Sequence, residues 1–279
     1  MNVNTSEPIG SGVDAPHDLE TIALEIRKRC VRMCMCRGQG YAGQGLALAD
    51  LMAHVYFRAM RSADNGGFKD RFVLSTGHSA IALFATLGEL GVYSEEELLT
   101  YGMPGSRIEE SPLEGIPGFE ITGGSLGQGL SQAIGMALAA RIQGEDSTIY
   151  CLLSDGELQE GQVWEAAMSA GHYRLGNLVV LVDNNRMQAD GNTADVMTVE
   201  PIPAKFEAFG FDAIRVDAND HAQLLNHLPA GGMTRDRPLA LVCENVPGKG
   251  VPSFEQYSKV HYIRAPKETW DTALAELDA

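Results

Sequence analysis

Two stretches of this chain end apolar runs with oxygen-bearing side chains. "LLSDGELQEG" (152–161) closes one run with Asp155-Gly156-Glu157, and "VDNNRMQADG" (182–191) closes the next with Asp183-Asn184-Asn185. Taken singly, Asp155 and Asn185 read as turn residues, a role both types often fill. Taken together, at the matched ends of neighbouring strands, they bring one carboxylate and one amide oxygen to the same place. With a backbone carbonyl and phosphate oxygens, such a pair suits Mg²⁺ or Ca²⁺. Gly156 lets the backbone approach a phosphate closely, and a helix beginning just after it aims its N terminus at the anion. An EF-hand on Asp183 and Asn185 fails, because Met187 and Gln188 stand where an oxygen ligand and a glycine are needed. A P-loop fails too, since Lys249 has neither the upstream glycine nor the following Ser or Thr.

The elements around these residues read as α/β. "STIYCLLS" (147–154) and "NLVVLVD" (177–183) are continuous apolar runs, the pattern of strands buried on both faces. "EGQVWEAAMSAGHYRL" (160–175) lies between them with helical spacing, which makes a β-α-β unit and a parallel sheet. "DAIRVD" (212–217) and "PLALVCEN" (238–245) add two strands. Helices are expected over 78–91, 126–143 and the final "PKETWDTALAELDA". The fold class is a doubly wound parallel α/β sheet with helices on both faces, in one domain over 19–279 after a disordered leader over 1–18. Ligands of such folds sit at the carboxyl ends of the strands.

Bulk composition narrows the partners. Hydrophobic residues make up 44% and charged residues 21% of the 279, ordinary for a chain with a full core. No apolar run has the length of a membrane span, and the leader has no signal-peptide core. With 21 basic and 37 acidic residues the formal charge is −16, which repels nucleic acid and anionic membranes. Cys30, Cys34 and Cys36 share one expected helix, and Cys151 and Cys243 lie in expected strands. No fourth zinc ligand is evident beside the first three, so the five read as small apolar thiols in a reducing, cytoplasmic setting.

"GQGYAG" (38–43) presents a G-x-G-x-x-G pattern, the fingerprint of dinucleotide binding when it follows a strand. Here "LETIALEIRKRCVRMCMC" precedes it with Ile22, Ile26, Val31 and Met33 at helical spacing, the wrong context.

Six ordered blocks carry a resemblance over residues 20–268: "DRFVLSTGHSA", "ITGGSLGQGLSQAIGMALA", "SDGELQEGQVWEA", "NLVVLVDNNRMQADG", "KFEAFGFDAIRVDAND" and "PGKGVPSFEQYSKVHY". The chain resembles the N-terminal, thiamine-diphosphate-binding half of transketolase, and specifically the branch in which transketolase is split into two chains. The resemblance implies that Asp155, Asn185 and the Met187 carbonyl hold Mg²⁺ or Ca²⁺. It implies that Gly156, His78 and His261 contact the diphosphate, with His78 and His261 also catalytic. Gly124 and Leu126 would border the aminopyrimidine and thiazolium pocket. Glu160 and Glu165, which the resemblance also counts with the catalytic residues, match acidic residues that link two cofactor sites across a dimer interface. The family writes Gly-Asp-Gly where this chain has Ser154-Asp155-Gly156.

The resemblance also implies a partner. The Glu that activates the cofactor, the phosphate-binding arginines and a substrate-facing His belong to the second, pyrimidine-binding half, which a companion chain would supply, most simply in an α₂β₂ assembly. The family's Gly-x-Gly-His-Pro-Gly has Tyr41 and Ala42 here in place of the His and Pro. A second family His falls near Glu110 or Ser111. "GQGYAG" thus reads as a wall of the substrate channel, with Tyr41 as a substrate residue and altered donor recognition. The expected activity is two-carbon transfer from a ketose-type donor to an aldehyde. Alternatives are an acyloin-forming or 2-oxoacid-using relative, or a catalytically silent regulatory partner. His17, His54, His172, His221 and His227 read as structural.

Overall fold

The computed structural model describes residues 16–63, 67–233 and 235–279. Its centre is a five-stranded parallel sheet of β1 (Arg71–Leu74), β2 (Ile149–Ser154), β3 (Leu178–Asn184), β4 (Asp212–Asp217) and β5 (Leu239–Glu244). The spatial order is β1-β2-β3-β5-β4. Every residue of β2 and β3 is buried, which is why both read as unbroken apolar runs. Their side chains alternate between two cores. Tyr150, Leu152, Val179 and Leu181 pack on one face, and Ile149, Cys151, Leu153, Val180 and Val182 on the other. Fully burying one such aliphatic side chain stabilises by about 1.5–3 kcal/mol, so the central strands need cover on both sides.

Helices supply that cover. The first face meets α1 (Pro16–Arg37), α2 (Ala42–His54) and α3 (Ala80–Glu89). The second meets α4 (Gly129–Gln143), α5 (Gly161–His172) and α6 (Ile202–Ala208). α7 (His221–His227) and α8 (Lys267–Leu277) return to the first face through Leu224 and Trp270. In α1 the buried stripe is Leu19, Ala23, Ile26, Cys30 and Cys34, with Ile22 only partly covered. All thirteen residues of α2 are buried, since α1 and α3 flank it.

The expected leader, 1–18, falls largely outside the described residues; α1 already begins at Pro16. Four expected strands are present within a residue or two of their expected bounds, whereas β1 and α2 emerge only in the structure. β1 contributes just three apolar residues, and its strand character comes from pairing with Ile149–Leu152 of β2. Four cysteines are buried as expected, but Cys36 is exposed near the end of α1, where the stripe has turned away from the core. Among the described residues no helix is long and apolar enough to cross a membrane.

Candidate functional site

The β2–β3 register decides the meeting of the two oxygen-rich loops. Ser154 stands opposite Asp183, and the Asp155 amide donates to the Asp183 carbonyl at 3.0 Å. Asp155 and Asn185 therefore leave the same edge of the sheet side by side. Asp155 is fully buried; it accepts from the Gly156 amide at 2.9 Å and from the Thr193 hydroxyl at 3.2 Å. The Asn185 amide donates to Asp183 at 2.7 Å, and its carbonyl oxygen accepts from the Met187 amide at 2.9 Å. Arg186 between them has a φ of 62°, the left-handed turn that brings Met187 back toward Gly156. A Cβ on Gly156 would lie 3.8 Å from the Met187 carbonyl oxygen and 3.0 Å from the Gln188 Cβ, so the two backbones approach closely.

Burial, and then the neighbouring Asp183, push the Asp155 carboxyl up to about 7. Burial pushes Asp183 up to about 6, against the hydrogen bonds from Asn245 and Asn185. The groups that favour ionisation at both carboxylates are neutral donors, not cationic side chains. Among the described residues no group of three or more His, Cys, Asp or Glu side chains is placed to hold a metal, so a cation here would rest on mixed oxygen ligands.

These loops wall a cavity of about 320 Å³ at the carboxyl ends of the strands. Gly156, Gln159 and Glu160 form one side, Asn185 and Met187–Ala189 another, and Ser111, Gly124 and Leu126 a third. Tyr41, His78 and His261 form the fourth. Nine of the eleven residues singled out in the sequence thus line one cavity, and Asp155 lies buried beside Gly156. Glu165 does not reach it. That carboxylate stands on the exposed face of α5, one turn from Met168, which is 56% exposed.

The fourth wall is an aromatic cluster. The Tyr41 ring centroid lies 5.4 Å from His78 and 5.7 Å from His261, and the two imidazoles are 5.4 Å apart. Burial, reinforced by His261, lowers His78 to about 4, and burial lowers His261 as well, so both rings are neutral near pH 7. Burial raises the Tyr41 phenol. His78 rides on a single tight turn, Gly77–Ser79, after β1. A Cβ on Gly77 would meet the Gly124 amide nitrogen at 2.5 Å, so that turn and the "GGSLG" loop touch through glycines. Behind Tyr41, the Tyr262 ring packs edge-on at 4.8 Å. The Tyr262 hydroxyl donates to Glu110 at 2.8 Å, and Arg37 pairs with the same carboxylate at 2.9 Å.

Sequence reasoning missed two supports. Glu157, fully buried, accepts from the Gly127 amide at 2.6 Å, from the Ser75 hydroxyl, and from the Ser154 amide at 3.4 Å. It joins the loops that follow β1 and β2 to the wall carrying Leu126. Gln44, in the first turn of α2, places its side-chain amide 2.5 Å from His261 Nδ1. An acidic residue in a buried strand-end turn is a signal that could have marked Glu157; nothing local marks Gln44. Two of the histidines read as structural lie elsewhere. His54 is buried against the Leu228 carbonyl at 2.9 Å, and His221 faces Asp50 at 3.4 Å.

The dinucleotide pattern has no dinucleotide geometry. α1 precedes it, and Gln39–Gly40 pairs antiparallel with Ile263–Arg264. Comparison with known proteins decides the family, because the profile described as "Transketolase, thiamine diphosphate binding domain" matches residues 20–269. The chain belongs to the transketolase family. It is 44% identical over 97% of its length to a transketolase family protein, y4mO, of Sinorhizobium fredii, and covers 98% of that protein. It is 36% identical to the 6-deoxy-6-sulfo-D-fructose transketolase subunit SqwG of a Clostridium species, covering 94% of this chain and 96% of that one. Transketolase from Campylobacter jejuni superposes with a TM-score of 0.83 at 26% identity, over 95% of this chain. The chain spans 43% of that structure's length.

Proposed function

We propose that this transketolase chain is the cofactor-binding subunit of a two-chain carboligase. It would move a two-carbon unit from a ketose-type donor to an aldehyde once a companion chain supplies the pyrimidine-binding half. The observation that carries the reading is the single cavity joining Gly156, Asn185, His78 and His261, with Asp155 buried against it.

The residues fit the groups the family implies. The buried Asp155 carboxylate has neutral neighbours and a pKa raised to about 7, the condition of a ligand that gains by meeting a cation. The Asn185 carbonyl oxygen and the Met187 backbone carbonyl add the hard oxygen donors that Mg²⁺ or Ca²⁺ takes. Gly156 leaves room for a phosphate, and the neutral His78 and His261 each offer one N–H to its oxygens without adding charge. Thiamine diphosphate, when bound, supplies a thiazolium carbon that acts as the nucleophile toward the donor ketone. Gly124 and Leu126 would shape the wall beside that ring. Tyr41 narrows the channel where an imidazole would assist a sugar hydroxyl, which supports a donor other than the common polyhydroxylated sugar phosphates.

Glu160, at the cavity rim, and Glu165 fit an interface between two copies. The exposed face of α5 near them carries Met168, 56% exposed, an apolar side chain that a neighbouring subunit would cover. An α₂β₂ assembly in the cytoplasm follows from this reading, with the cysteines reduced. The test is reconstitution. The purified chain by itself should show no donor cleavage, while mixing with its companion subunit should give ketol transfer and a larger particle by light scattering. Turnover by this chain without a companion would overturn the proposal.

A further inference from the structure

Gln44 is 1% exposed and its amide meets His261 Nδ1 at 2.5 Å across 217 residues of sequence. Both partners are held by backbone. The Gly248 amide donates to the Gly43 carbonyl at 3.0 Å, and a Cβ on Gly43 would fall 2.1 Å from the Val260 carbonyl oxygen. The first turn of α2 and the segment entering His261 are therefore pressed together, and the Gln44–His261 contact lies at their junction.

The amide can face the ring in two ways. With NH₂ toward Nδ1, the Gln44 carbonyl oxygen is buried without a partner. With the amide reversed, two buried N–H donors would lack partners instead. An under-satisfied carbonyl is the better tolerated of the two, so the amide donates. A neutral imidazole carries one N–H. If Nδ1 accepts, the proton sits on Nε2, the ring nitrogen left for the cavity that His261 lines. Burial favours the neutral ring that this requires.

We infer that Gln44 is a positioning residue that fixes His261 in the Nε2–H tautomer, so that His261 presents a hydrogen-bond donor to an anionic group in the cavity. The nature of that group, a diphosphate, rests on the function proposed above; the tautomer does not. The opposite tautomer would turn a lone pair toward the anion and repel it.

The experiment uses the full-length, cofactor-free chain with ¹⁵N-labelled histidine. Long-range ¹H–¹⁵N spectra at neutral pH should show His261 with Nδ1 unprotonated and Nε2 protonated. In Gln44→Glu the carboxylate can only accept, so the proton should move to Nδ1 or the ring should become doubly protonated. Titration with Mg²⁺ and inorganic pyrophosphate gives a second measure. Gln44→Met, which keeps the volume and loses the hydrogen bond, should bind about fivefold more weakly, the worth of about 1 kcal/mol of orientation. An Nδ1–H tautomer in the wild type overturns the inference, as does an unchanged Nε2–H ring in Gln44→Glu or an unchanged pyrophosphate affinity in Gln44→Met. If the wild type binds no pyrophosphate but shows the expected tautomers, the functional reading fails and the tautomer assignment stands.

Discussion

Replacing Glu157 by alanine should separate the support of the cavity from its lining. The buried carboxylate accepts from the Gly127 amide at 2.6 Å, from the Ser75 hydroxyl, and weakly from the Ser154 amide at 3.4 Å. Each donor left unsatisfied in the interior costs about 1–3 kcal/mol. The Ser75 hydroxyl can rotate and the Ser154 contact is long, so the Gly127 amide dominates. Part of the loss returns, because burial raises the Glu157 carboxyl and its removal ends that desolvation. The net destabilisation should be about 3 kcal/mol. Glu157→Gln keeps one oxygen for Gly127 and Ser75 and should cost only about 1 kcal/mol. Urea unfolding of the purified chain at pH 7 measures both, with an unchanged slope required for the comparison. Because Gly127 adjoins Leu126, the alanine variant should also bind thiamine diphosphate more weakly in the reconstituted enzyme. An alanine variant within about 1 kcal/mol of wild type, or a glutamine variant as unstable as alanine, would refute the reasoning.

Asp155→Ala should abolish Mg²⁺-dependent thiamine diphosphate binding by the reconstituted complex while leaving the cofactor-free chain folded, because it removes a buried carboxylate with no cationic partner; calorimetry showing unchanged affinity would dismiss the ligand assignment. Tyr41→His should raise activity with xylulose 5-phosphate relative to a smaller, less hydroxylated donor, and a donor panel with no shift in preference would show that Tyr41 does not set specificity. Burial holds His54 down to about 4, below its ordinary value near 6.5, so its contribution is complete above about pH 6.5 and is lost as the pH falls toward 4. Wild type should therefore lose about 3 kcal/mol more than His54→Gln over that window, read as a steeper fall of the urea midpoint, and parallel curves would contradict it.

The sequence by itself determined four of the five strands of the sheet. β2, β3 and β5 are continuous apolar runs because both faces are covered, and that local pattern needs no partner to be read. It also marked Asp155 and Asn185, since polar side chains ending apolar strands are a local signal. β1 was not legible as a strand: its four residues gain their conformation from the neighbouring strand, a long-range contact that leaves no periodicity. The all-round burial of α2 likewise has no amphipathic stripe to announce it. The tertiary structure decided which side chains meet. The one-to-one register of β2 with β3 set Asp155 beside Asn185, and the backbone contact of Gly43 with Val260 set Gln44 on His261. Glu160 and Glu165 read alike as acidic positions of one segment, but the turn into α5 leaves the first at the cavity and rotates the second onto an exposed face. Strand and helix follow from neighbours in sequence, whereas a site is a set of distances between residues far apart in the chain, and packing fixes those distances.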